Sequence, residues 1–107
     1  MDESMMVQLR ALNSIAVEWQ DVLMISEEYF RELSNEYSHG NVVRAANWSE
    51  MKDAYIEMQM FKDLHKHYKQ LLIDDKIKEA ILFSDNVLNK VLLAPDELTK
   101  IHSSILV

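Results

Sequence analysis

The side chains here that could do chemistry are four histidines, a few paired carboxylates and a short run of lysines. His65-Lys66-His67, with His39 and His102, is the one metal-like set. Neighbours two apart on a helix point about 200° from each other, so His65 and His67 cannot share an ion. Helical zinc sites space their histidines at i, i+4, and Lys69 and Leu71 fill the positions where the second ligand would stand. His65 instead falls on an apolar line and reads as a core-edge residue. Glu28 with Glu32, and Asp53 with Glu57, are i, i+4 carboxylate pairs. A di-iron bundle needs inward Glu-x-x-His motifs on two helices, and this chain has none, so the pairs read as solvated faces. Lys62, Lys66 and Lys69 make a basic stripe. In an antiparallel pairing it comes near Glu18 and Asp21 of the acidic first helix.

No cysteine is present, so thiol chemistry and a disulfide framework are excluded, which fits a reducing, cytoplasmic location. A single glycine excludes a glycine-rich phosphate loop. No metal, cofactor or catalytic residue is expected, and the chain reads as a non-enzyme.

The elements that carry these residues are helices. One Gly and one Pro leave nothing to build the corners of a strand-and-turn fold, while 49% apolar content is ample for a core. Met5, Leu9, Leu12, Ala16, Trp19, Leu23, Ser26, Phe30, Leu33 and Tyr37 alternate four and three apart without a slip. A helix over residues 2–38 follows, and Met6, Ile15, Val22 and Tyr29 widen its apolar face from a coiled-coil seam to a bundle face. Ser38-His39-Gly40-Asn41 breaks it, with Gly40 suited to a left-handed helix end and Asn41 to a cap.

A second helix is expected over 42–73, on Met51, Ala54, Met58, Phe61, His65, Tyr68 and Leu72. Asn47 and Glu50 have capping-box spacing, so residues 42–46 could form a separate turn. Asp74-Asp75 marks the next corner, with aspartate as N-cap. A third helix covers 76–93, with Ile77, Ala80, Ile81, Ser84, Val87, Leu88, Val91 and Leu92 on one side. Pro95 stops it and starts a short fourth helix, 96–104, presenting Leu98, Ile101 and Ile105. The expectation is one all-α domain: an antiparallel hairpin of two long helices with the third and fourth packed against it.

The net charge is -7. Residues 1–38 hold eight acids and two bases, so the first helix carries most of the excess. Nucleic acid and anionic membranes are disfavoured ligands, and basic proteins are favoured. No run of about 18 apolar residues exists to span a bilayer.

One weak repeat is present. The segment Gly40 to Trp48 aligns with Asp75 to Phe83, pairing Val42 with Ile77, Ala45 with Ala80 and Trp48 with Phe83. It resembles the tetratricopeptide family of helical hairpins repeating every ~34 residues, in which a small residue lies five places after the turn glycine and a proline closes the unit. Ala45 and Ala80 occupy such places, Asp75 stands where the family has glycine, and Pro95 follows Ala80 by fifteen residues where the family's proline follows by about twelve. The resemblance spans residues 29–95. It implies a hairpin scaffold like that of small acidic secretion chaperones and adaptors.

The first two helices should each be about 45–55 Å long at 1.5 Å per residue, and the third is too short to cover them. A strip of the first helix is therefore expected to stay apolar and meet a protein partner. Its candidate contacts are Met5, Leu9, Leu12, Ile15, Trp19, Val22, Leu23 and Tyr29. The partner is expected to be an apolar or basic helix of another protein, or a second copy of this chain assembling through the same seam. Seven methionines, six of them on these two helices, suit either adaptable core packing or a groove.

Overall fold

The computed structural model describes residues 2–38 and 45–106. They form four helices: α1 (Glu3–Ser38), α2 (Ala45–Ile73), α3 (Ile77–Leu93) and α4 (Pro95–Ile105). The fold is an all-α bundle. The expected Gly40-Asn41 turn and residues 42–44 lie outside the described residues. α2 is helical through Asn47-Trp48-Ser49-Glu50, so no break occurs there.

Two helix starts have a clear local cause. The Asp2 carboxylate accepts the Met5 backbone N–H at 2.8 Å and caps α1. Pro95 occupies the first turn of α4, where its missing N–H costs nothing, with Asp96 and Glu97 at the positive end of the helix.

The α2–α3 corner departs from expectation. Asp75 is not an N-cap. It takes the left-handed conformation, φ 58°, at the end of α2. The Asp75 N–H donates to the Leu72 carbonyl at 3.1 Å, and the Lys76 N–H to the Leu71 carbonyl at 2.8 Å. That pair of bonds is a Schellman ending, which normally uses glycine. Asp75 therefore does the job of a glycine, with aspartate among the few side chains that tolerate it. α3 starts at Ile77 without a side-chain cap.

α1 and α2 run antiparallel. Trp19 lies against Tyr68, ring centres 6.0 Å apart, while Phe30 lies against Tyr55 at 5.4 Å. α3 packs on both helices of this hairpin, and α4 returns along α2 and α3. The core is Trp19 and Ile15 from α1, Phe61, Leu64 and Tyr68 from α2, Ala80 and Val87 from α3 and Leu98 from α4. At its centre the Trp19 indole N–H donates to the Ser84 hydroxyl at 2.9 Å, both residues being wholly buried. Without that acceptor the indole donor would be buried unpaired.

Helix lengths set the shape. With 36 and 29 residues, α1 and α2 are about 54 and 44 Å long, and α3 with 17 is about 26 Å. The molecule measures 60 × 27 × 25 Å, and its radius of gyration of 16.7 Å exceeds the ~13 Å of a compact chain this long. One end is therefore a bundle of up to four helices, and the other is a bare two-helix hairpin.

Candidate docking groove

Where α3 stops, the hairpin beneath it is uncovered. A cleft of about 230 Å³ opens there. Val22, Ile25, Ser26 and Tyr29 of α1 form one wall, Ala54, Glu57 and Phe61 of α2 the other, and Val91 and Leu92 of α3 close its end. Phe61 and Ala54 are buried floor, whereas Ile25 is 63% and Leu92 89% exposed at the mouth. The Ser26 hydroxyl is turned to its own helix, donating to the Leu23 carbonyl at 3.0 Å. Glu57 and Tyr29 are exposed at the rim. The cleft thus offers an apolar slot with one carboxylate and one phenol at its edge.

The expected contact residues of α1 divide into three groups. Ile15 and Trp19 are inside the bundle, so they cannot meet a partner. The reason is that α3 covers the middle of α1, and an inward position has the same helical spacing as a docking position. Leu12, Val22 and Leu23 are part-buried against the core, with Val22 also reaching the cleft. Met5, Leu9 and Tyr29 are exposed, but only Tyr29 lies at the cleft, because Met5 and Leu9 are in the first turns of α1.

Ile25 and Leu92 were not expected at the surface site. Ile25 falls three residues after Val22 and four before Tyr29, so it shares the face of that second apolar line of α1. Leu92 was expected on the inward side of α3. It faces out because α3 turns its Val87 and Ser84 line to the hairpin.

Three of the histidines are spent on contacts between helices. His65 packs on Trp19 at 5.3 Å, and burial, reinforced by nearby Lys69, pulls its pKa below the usual histidine value. His67 lies on Phe83 at 4.7 Å, joining α2 to α3. His102 Nε2 is 2.8 Å from the Asp63 carboxylate, joining α4 to α2. His39 is outside the described residues, among which no three His, Cys, Asp or Glu could hold a metal ion. Lys62 does not meet Glu18 or Asp21. It pairs with Glu27 at 3.3 Å, because Trp19 set between His65 and Tyr68 fixes a register that carries Lys62 further along α1. The two side chains remain 45% and 42% exposed, so solvent screens the pair and it contributes about 0–1 kcal/mol. The methionines also split: Met58 is buried in the hairpin, while Met5, Met6 and Met24 are exposed.

No helix among the described residues is long and apolar enough to cross a membrane. No family model, no curated protein and no solved structure matches the chain.

Proposed function

We propose that this protein is a non-enzymatic protein–protein interaction module: a small acidic adaptor or chaperone that holds a helical surface of a partner. The observation that carries this reading is the apolar cleft left where α3 ends on the α1–α2 hairpin. The exposed side chains of Ile25, Tyr29 and Leu92 are grouped at this one cleft, and contiguous exposed apolar surface is what interaction sites present. Its volume of about 230 Å³ falls below the ~300–1,000 Å³ of small-molecule sites and suits inserted side chains of a protein.

A second reading is a structural one, in which copies of the chain assemble through α1. Met5, Met6, Val7 and Leu9 favour it, since they form an exposed apolar run at the start of that helix.

Site-specific photo-crosslinking in the native host separates the two. A photoreactive residue at Ile25 should give a defined adduct with a different protein, and one at Glu18 should not. An adduct only with the chain itself, or equal labelling from both positions, would contradict the adaptor reading.

A further inference from the structure

We infer that the groove beyond α3 receives a basic amphipathic helix of another protein, about three turns long, lying on the line that α3 would follow if it continued. This deepens the adaptor reading and rests on it.

Length comes first. The uncovered wall of α1 runs from Ile25 to Glu36, and that of α2 from Glu50 to Phe61. Both spans are about 17 Å at 1.5 Å per residue, so the two walls end level. A helix of about twelve residues fills that length. It would set apolar anchors at i, i+3 or i+4, and i+7 into the slot, the way helices dock in grooves.

Charge names the chemistry of the occupant. Residues three, four or seven apart share a helix face, and residues two apart lie on opposite faces. From the cleft residue Tyr29, this places Glu32 and Glu36 on the groove side of α1. From Ala54 and Glu57, it places Glu50 and Asp53 on the groove side of α2. All five carboxylates, Glu57 included, are exposed. The two bases of this stretch, Arg31 and Lys52, lie two positions from Tyr29 and Ala54 and so face away. The open groove is therefore apolar along its floor and acidic on both rims, with no cation on that side among the described residues.

A Lys- or Arg-flanked apolar helix complements both features. A second copy does not, because a two-fold contact would set the acidic rims of each copy against the other's. Anionic membrane surfaces are repelled likewise.

The test uses a displayed library of helical peptides of about twelve residues. Apolar anchors are fixed at i, i+3 and i+7, and Lys, Glu, Gln and Ala vary elsewhere. It is selected on the full chain and counter-selected on the Ile25→Glu, Leu92→Glu variant, whose fold is checked by circular dichroism. The expected result is enrichment of Lys over Glu at the variable positions, with the selected peptides binding the Glu32→Lys, Asp53→Lys variant at least about tenfold more weakly. Enriched peptides that need Ile25 and Leu92 but are neutral or acidic would overturn the basic occupant and leave the docking reading standing. No groove-dependent peptide, with the chain self-associating through Ile25, would make a second copy the occupant. No groove-dependent peptide with a monomeric chain would overturn both.

Discussion

The two ends of the hairpin use similar residues for opposite purposes. At one end Trp19 is enclosed by Tyr68, His65 and Ser84, and α3 seals it from water. At the other, Phe30 and Tyr55 also meet across the same two helices, tilted by 54°, yet Tyr55 stays 47% exposed. What separates them is a third helix, present over one and absent over the other. Two helices cannot bury a wide apolar face by themselves. The closed end therefore holds the fold together, and the open end has surface left to give.

The contrast can be broken most forcefully at Trp19. Trp19→Ala should cost about 3–5 kcal/mol by emptying the core, a large part of an ordinary domain's stability. Tyr55→Ala, at the open end, should cost about 0.5–1.5 kcal/mol. Comparable losses of melting temperature would show that the ends are not different in kind. Ser84→Ala is next. It strands the buried indole N–H and should cost about 1–3 kcal/mol in chemical denaturation, a penalty that largely disappears when Trp19→Phe is added.

Asp75→Gly should raise stability by up to about 1 kcal/mol, because glycine takes the left-handed conformation without strain. A loss instead would mean that the aspartate side chain contributes more at this corner than its backbone costs. The smallest effect is the pH response of His65. Its folded pKa is depressed, so its neutral form is favoured by folding, and that contribution is present above the ordinary histidine value of about 6.5. As pH falls through 6.5 the unfolded chain takes up the proton first, and stability drops until the lower folded pKa is passed. Melting curves of His65→Gln should show a shallower loss over that window than the parent protein.

Much of the fold was legible. The unbroken three–four spacing of α1, the scarcity of Gly and Pro, and Pro95 at the head of α4 fix the helices and their order on local grounds. The mismatch between a short α3 and a long hairpin was also visible as arithmetic, and it foretold uncovered surface. The location of that surface was not legible. Ile15 and Tyr29 lie on the same line of α1, and only the placement of α3 makes one core and the other rim. Register was hidden for a related reason: Lys62 meets Glu27 because of where Trp19 seats, which no local pattern states. Asp75 escaped because an aspartate pair at a corner signals a cap more readily than a left-handed ending.

Native-state hydrogen exchange of the free protein, read by NMR, tests the two-ended account most directly. Amides around Leu64, Tyr68 and Val87 should exchange only through global unfolding. Those of Glu32 to Glu36 and Glu50 to Glu57 should open at distinctly lower free energy. Equal protection along the whole hairpin would contradict the account, since it would mean that the far end is already covered.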